Sequence, residues 1–381
     1  MPDVNRKNSD SGLRTLDAGF PRHGGNVYAF ARRQGVRSEE VLDFSASINP
    51  LGWPQGVKAA YQWALAQTVH YPEPYAETLA TGLAQYHGLD PRSLVLGNGS
   101  TQLIYLLARV LKSRRVLIVA PTFSEHELAF HHAGACVSRF ILRPPTFRLI
   151  IEQLRLRLAE GYDTLIVTNP NSPTGTFVAS ETMQTVVQLC RCLGVCLLVD
   201  ETFVDWVEDG SLKTLAQHQQ HLIVLRSLTK FFAIPGLRVG YVIAYPKNAQ
   251  RLRTQLEPWS VNSIAQAVAI ACLNDPQFVQ RSRAFMARER QWFERQLRAV
   301  TGIKTFPSSV NFFLVKITER SLTAADVARQ LTASNILIRE CSNFVGLGKQ
   351  YFRIAVRQRI DNKRLLAALQ AVFAGKDLGH I

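Results

Sequence analysis

Residues 195–230 read VCLLVDETFVDWVEDGSLKTLAQHQQHLIVLRSLTK, and this stretch contains two apolar runs that each end in reactive residues. VCLLV is apolar at every position and is expected to form a strand buried on both faces. It stops at Asp200, where an unpaired carboxylate is costly, so the reading gives Asp200 a cationic partner. HLIVL is of the same kind and stops at Ser227-Leu228-Thr229-Lys230. A small loop, Ala233-Ile234-Pro235-Gly236-Leu237-Arg238-Val239-Gly240, follows at once.

Outward from this stretch the same alternation continues. Upstream come LVLGN, STQLIYLLARVLK, RVLIVA, SEHELAFHHAG, CVSRFIL, IIEQLRLRLAEG, TLIVTNP and ETMQTVVQLCRCLG, and downstream GYVIAY. Short apolar runs alternating with helical patterns predict an α/β fold: a mainly parallel sheet with helices on both faces. After a helical stretch from about Asp275 to Val300 the pattern changes to GIKTFP, NFFLVKI, a helix near 323–334, ILIREC, YFRIAVR and a last helix after Asp361. That order predicts a smaller α+β domain over 276–381, a large domain over 51–275, and a segment 1–50 that is an arm plus part of the small domain. No internal repeat or low-complexity tract is present.

The 381 residues are 47% hydrophobic, 19% charged and 9% aromatic, with 23 Gly and 17 Pro, which excludes disordered, collagen-like and coiled-coil classes. The first residues, MPDVNRKNSDSGLRTLDAG, mix acids with bases around no apolar segment, so neither a secretory signal nor a transit peptide is expected. The uncharged run Pro258 to Asn274 is interrupted by Ser260, Asn262, Ser263 and Gln266, and no transmembrane helix is predicted. The expected location is the cytoplasm. The formal charge of +15 raises nucleic acid as a partner, but the basic residues form no tract and no recognition motif, so neither nucleic acid nor membrane is expected. The six cysteines include a local CxCxxxC at Cys190, Cys192 and Cys196. Without a second ligand pair at zinc spacing, they read as small buried thiols, and no metal is expected.

In open α/β sheets ligands bind at the carboxyl ends of strands. After LVLGN, the run Gly97-Asn98-Gly99-Ser100-Thr101 opens a helix with free N–H groups and a hydroxyl, which suits a phosphate. It is not a dinucleotide fingerprint, because position 102 is Gln and RVLIVAPTF carries no acid for a ribose. TLIVT ends in Asn169-Pro170-Asn171-Ser172-Pro173-Thr174-Gly175, a rigid turn that exposes an amide. Ser227-x-x-Lys230 also matches the nucleophile motif of penicillin-recognising proteins, but the chain lacks their Ser-Asp-Asn and Lys-Thr-Gly partners. Taken together, a lysine able to form a Schiff base, a buried carboxylate for a pyridine nitrogen, and hydroxyls, N–H groups and an arginine for one phosphate describe a site for pyridoxal 5′-phosphate.

NPNSPTG, Asp200, SLTKFFAIPGLRVGY and Arg353 in YFRIAV together resemble fold-type I pyridoxal-phosphate enzymes of the aminotransferase class I and II group, over nearly the whole chain. The resemblance implies that Lys230 carries the cofactor as a Schiff base and later moves the proton, and that Asp200 pairs with the pyridinium nitrogen. Asn171 would bond the phenolic oxygen. Gly99, Ser100, Thr101, Ser227 and Arg238 would hold the cofactor phosphate, Phe123 would stack on the ring, and Arg353 would grip the substrate carboxylate.

Within the group, His23-Gly24-Gly25-Asn26, LDFSASINPLG over 42–52 and Phe203 in place of a usual Tyr are similar to the threonine-phosphate decarboxylases of cobalamin biosynthesis. That likeness implies a phosphorylated amino-acid substrate held also by His23, Gly24, Ser47, Tyr71, Arg339 and Lys349, and a homodimer whose subunits share the site. Ser47 departs from that pattern, which has Asn. The alternatives are a histidinol-phosphate aminotransferase and, in another class, a non-catalytic pyridoxal-phosphate-binding regulator. The regulator would need a DNA-binding segment or a lost lysine, and neither is seen in the sequence.

Overall fold

The computed structural model describes residues 23–375. The part of the expected arm before His23 and the chain after Gly375 lie outside the described residues. In chain order the strands are β1 (Leu42–Asp43), β2 (Leu94–Asn98), β3 (Arg115–Ala120), β4 (Cys136–Ile141), β5 (Thr164–Thr168), β6 (Cys196–Asp200), β7 (Leu222–Ser227), β8 (Val239–Ala244), β9 (Ile303–Thr305), β10 (Phe312–Ile317), β11 (Ile336–Leu337), β12 (Arg339–Glu340) and β13 (Tyr351–Ala355).

Seven strands form the large sheet in the order β2-β8-β7-β6-β5-β3-β4. Neighbours from β7 to β4 are parallel, whereas β8 runs antiparallel to both β2 and β7. Successive side chains of a strand point to opposite faces, and both faces here are apolar. Leu117, Val119, Leu197 and Val199 join one buried cluster, while Val116, Ile118, Leu198 and Ile223 join the other. At about 1.5–3 kcal/mol for each fully buried Val, Leu or Ile, this two-sided burial is the main stabilising contribution of the sheet. β4, at one edge, is the exception, with residues that are only partly buried or exposed.

Helices cover the sheet because their apolar residues recur at helical spacing. In Ser180–Leu193, Met183, Val186, Val187 and Cys190 are buried and face the first cluster, and Gly194 ends the helix in the left-handed region. The long helix Pro276–Arg298 starts where Asp275 accepts a hydrogen bond from the Phe278 N–H at 2.8 Å. It leads into a four-stranded antiparallel sheet ordered β12-β13-β10-β9. In that sheet Arg339 stands directly opposite Arg353, and Leu314 flanks Arg353 from the other side.

Residues 42–44, ahead of the large sheet, belong to this second sheet region. β1 pairs in parallel with β11, Leu42 to Ile336 and Asp43 to Leu337. The Ala355 N–H donates to the Phe44 carbonyl at 2.8 Å, and the Asn49 N–H donates to the Lys230 carbonyl at 3.0 Å. Residues 42–49 thus run from the small sheet to the carboxyl end of the large one. No helix among the described residues is long and apolar enough to cross a membrane.

Candidate active site

The register brings the strand ends together. Thr168 pairs with Asp200, Asp200 with Leu225, and Ser227 with Gly240, which also pairs with Gly97. Lys230 lies three residues past Ser227 and is only partly exposed. Loss of hydration lowers its pKa from the usual 10.5 to about 8; the charge of Asp200 opposes this shift, and Arg238 and Arg353 add to it. An amine in that condition is partly neutral near physiological pH and can act as a nucleophile.

Asp200 is 4% exposed. Its Oδ2 meets His126 Nε2 at 2.9 Å, and its Oδ1 accepts from the Thr202 N–H at 2.9 Å and from the Thr202 hydroxyl. Burial pushes its pKa up, but the hydrogen bonds and charge of its neighbours, His126 first, outweigh burial and leave it below the usual carboxylate value. The expected partner of Asp200 is therefore an imidazole. His126 is fully buried, and its Nδ1 has no partner among the described residues.

One turn away, the helix Gly99–Leu111 begins without a side-chain cap, so its first N–H groups are available to an anion. Gly99 has φ 77°, and a Cβ there would run into Arg238 Nη2. A Cβ on Gly240 would lie 2.7 Å from the Ser100 nitrogen. Backbone, Ser100, Ser227 and the Arg238 guanidinium therefore converge because two side chains are missing. Ser227 Oγ shares a 2.7 Å hydrogen bond with Thr229 Oγ1. Thr101 is half-buried in the same first turn. Asn171 donates to the Pro121 carbonyl at 3.0 Å and accepts from Thr174 Oγ1 at 2.7 Å, which leaves one amide N–H for a ligand.

Arg353 is 9% exposed. Its Nη1 donates to Ser172 Oγ at 2.7 Å, its Nη2 donates to the Ser45 carbonyl at 3.0 Å, and its Nε has no partner. Burial lowers its pKa to about 10, so it stays charged at neutral pH. Arg339, across the strand pair, donates to the Glu340 carbonyl and at 2.8 Å to Asn343 Oδ1. Gly24 abuts the Ser45 carbonyl too closely for any Cβ, and that carbonyl is the one Arg353 Nη2 binds. His23 pairs with Glu125 at 3.1 Å and lies 5.4 Å from the Phe123 ring. Ser47 is 4% exposed, and its hydroxyl has no partner.

Two of the expected residues are largely exposed. Tyr71 is 83% exposed and packs on Trp259 at 5.1 Å, and Lys349 is exposed, with its carbonyl accepting from the Ala324 N–H at 2.7 Å. The cysteine reading also needs correction: Cys190, Cys272 and Cys341 are buried, but Cys136 and Cys192 are exposed. They lie on the exposed faces of an edge strand and a helix. Sequence reasoning missed His126, Ser45 and Ser172. His126 sits in SEHELAFHH among three histidines that no spacing distinguishes, and Ser45 acts through its carbonyl, which any residue supplies.

The arrangement suits a flat cationic heterocycle with one anionic arm. It offers a buried carboxylate for the ring nitrogen, an amide for a ring oxygen, an uncapped helix start with two serines and an arginine for the arm, and a lysine between them. The unpaired Ser47 hydroxyl and Arg353 Nε mark a further place for polar groups.

The sequence profile described as aminotransferase class I and II matches residues 39–372. The chain is 35% identical to a threonine-phosphate decarboxylase of Salmonella typhimurium over 93% of this chain and 97% of that protein. Among solved structures, it is similar to the histidinol-phosphate aminotransferase from Clostridium acetobutylicum, with TM-score 0.81 and 27% identity over 87% of this chain and 99% of that one. It is also similar to the L-threonine-O-3-phosphate decarboxylase from Porphyromonas gingivalis, with TM-score 0.78 and 26% identity, again over 87% and 99%.

Proposed function

The chain belongs to the aminotransferase class I and II family, and from that premise we propose that it is a pyridoxal 5′-phosphate-dependent decarboxylase that converts L-threonine O-3-phosphate to (R)-1-amino-2-propanol O-2-phosphate and CO2, a step of cobalamin biosynthesis. The observation that carries this reading is the pair of buried arginines, Arg339 and Arg353, set directly opposite one another on β12 and β13. Two separate buried cations suit a substrate with two anionic groups, a carboxylate and a phosphate.

When bound, the cofactor would supply an electron sink for the pair left when the Cα–carboxylate bond breaks. The chain's own residues do the rest. Asp200, held ionised by His126 and Thr202, keeps a proton on the ring nitrogen. Asn171 would bond the ring oxygen, Phe123 would stack on the ring, and Gly99, Ser100, Thr101, Ser227 and Arg238 would hold the phosphate arm. Arg353 has three N–H groups left after serving Ser172 and Ser45, and these bind and orient the carboxylate that leaves as CO2. Lys230 Nζ, lowered to about 8, delivers the proton that Cα takes up in place of the carboxylate.

The substrate phosphate falls to Arg339, Lys349 and His23 with the Gly24 backbone, and Ser47 offers its hydroxyl directly or through water. Tyr71 serves the site of a second copy of the chain. What supports a homodimer is the exposure of several large rings, Trp53, Trp63, Tyr71 and Trp259, of which Tyr71 and Trp259 pack on each other. A small phosphorylated amino acid as substrate suits a cytoplasmic enzyme.

The test is to supply L-threonine O-3-phosphate without an amino acceptor and follow CO2. Steady release that Lys230→Ala abolishes is expected. A second reading, histidinol-phosphate aminotransferase, is favoured by the TM-score match given above. It gains if no CO2 appears and histidinol phosphate or glutamate instead converts the cofactor to its amine form.

A further inference from the structure

The His23 side chain is nearly half exposed, yet it is fixed on two sides. Its Nε2 pairs with Glu125 Oε1 at 3.1 Å, and its ring rests on Phe123. Behind it, the Gly25 N–H donates to Ser45 Oγ at 2.7 Å, and Ser45 Oγ donates to Asp43 at 2.6 Å. Glu125 is fixed in turn, because the Tyr105 hydroxyl donates to its other oxygen, Oε2, at 2.9 Å. Both carboxylate oxygens are thus engaged, on a side chain only 14% exposed.

An acid in this place needs an explanation. Arg353 and Arg339 lie beyond Ser45, and a carboxylate beside an anion-binding pocket opposes binding unless it organises a donor. We propose that Glu125, braced by Tyr105, is the positioning residue for His23 and makes the imidazole selective for the phosphate of the substrate. With Nε2 given to Glu125, Nδ1 is the nitrogen left for a ligand. A ring pinned through Nε2 on one side and by Phe123 beneath presents its Nδ1 edge to a phosphate oxygen in one fixed orientation. Helix Ser124–His132 therefore serves the site three ways from its first turn and cap: Phe123 toward the ring, His126 on Asp200, and Glu125 on His23. The inference rests on the reading that His23 faces the substrate phosphate.

The experiment measures the dissociation constants of L-threonine O-3-phosphate and of L-threonine by calorimetry on the cofactor-loaded protein, every chain carrying Lys230→Ala so that the ligand is not consumed. It compares the otherwise unaltered chain with Glu125→Gln, Tyr105→Phe, His23→Ala and the double variant His23→Ala/Glu125→Gln, with melting curves to confirm folding. The expected result is that Glu125→Gln weakens the phosphorylated ligand about 5- to 20-fold and leaves L-threonine within about twofold. Tyr105→Phe does the same to a smaller extent, and Glu125→Gln adds nothing once His23 is Ala. Equal weakening of both ligands, an undiminished effect in the His23→Ala background, or no preference of the otherwise unaltered chain for the phosphorylated ligand overturns the inference. Selective binding, with no CO2 release by the chain that keeps Lys230, overturns the assigned reaction and leaves the positioning role standing.

Discussion

The Arg353 guanidinium lies over the face of Phe312, 4.9 Å from the ring centroid, and Phe312 is itself met edge-on by Phe203 at 5.0 Å. The ring face is the negative part of the aromatic quadrupole, so it holds the cation in place without using any of its N–H groups. Phe312→Leu keeps an apolar floor but removes that attraction, worth about 0.5–2 kcal/mol. In steady-state kinetics with L-threonine O-3-phosphate, KM is expected to rise about 3- to 30-fold with kcat changed less. A fall in kcat at constant KM would place the role of Phe312 elsewhere.

In the proposed role of Lys230, its amine is expected to set the pH dependence of cofactor capture. Only the neutral amine attacks an aldehyde, and with a pKa of about 8 its neutral fraction falls about tenfold per pH unit below that value. The rate at which the apoprotein takes up pyridoxal 5′-phosphate, followed by absorbance, is expected to rise with a midpoint near pH 8 and to level off about one unit above it. Arg353→Gln removes a charge that lowers the lysine and moves the midpoint up. A midpoint near 10.5 in the unaltered protein would contradict the buried, cation-flanked setting of Lys230.

His126 keeps Asp200 ionised. Replacing it by Leu leaves Asp200 with Thr202 alone, and burial then favours the protonated acid, which cannot pair with a pyridinium. A hydrogen bond to a charged group contributes about 1.5–3 kcal/mol, so the cofactor dissociation constant is expected to rise about 10- to 100-fold. His126→Gln, able to donate to the same oxygen, should recover part of the loss. Unchanged affinity in both variants would remove His126 from the site.

Glu201, the neighbour of Asp200, makes the fold sensitive to pH. It is 2% exposed and accepts hydrogen bonds from Ser211 Oγ and the Leu212 N–H, yet burial raises its pKa from 4.5 to about 7. Between those values the unfolded chain has lost the proton that the folded chain keeps. Stability therefore declines as pH rises through this window, and the deficit is complete above about pH 7. Glu201→Gln retains both hydrogen bonds without the titration. Relative to it, the unaltered protein should lose about 2–3 kcal/mol between pH 4.5 and 7, measured by urea unfolding at each pH. Parallel stability curves would contradict this account.

The strand ends were legible because apolar runs that stop abruptly at Asn171, Asp200 and Ser227 leave polar groups at the rim of a sheet. The direction of β8 was not, since GYVIAY is apolar along its length and reads alike both ways. Nor was the merging of residues 42–43 with 336–337 visible in pattern, because two-residue strands carry no period. Partners that act through backbone, such as Ser45, have no sequence signature. Phe203 was noticed for the hydroxyl it lacks. The structure adds what the ring contacts, the underside of the Arg353 floor.

The pairing of β1 with β11 also bears on the order in which the chain is made. Residues 42–45 leave the ribosome early, but their partners, from Ile336 through Ala355 to Arg357, whose Nη1 donates to the Asp43 carbonyl at 3.0 Å, are among the last. The large sheet, by contrast, is complete once Ala244 has been synthesised. During synthesis a nascent chain can thus assemble the strand ends that carry Asp200 and Lys230 well before it can close the side that holds Ser45 against Arg353.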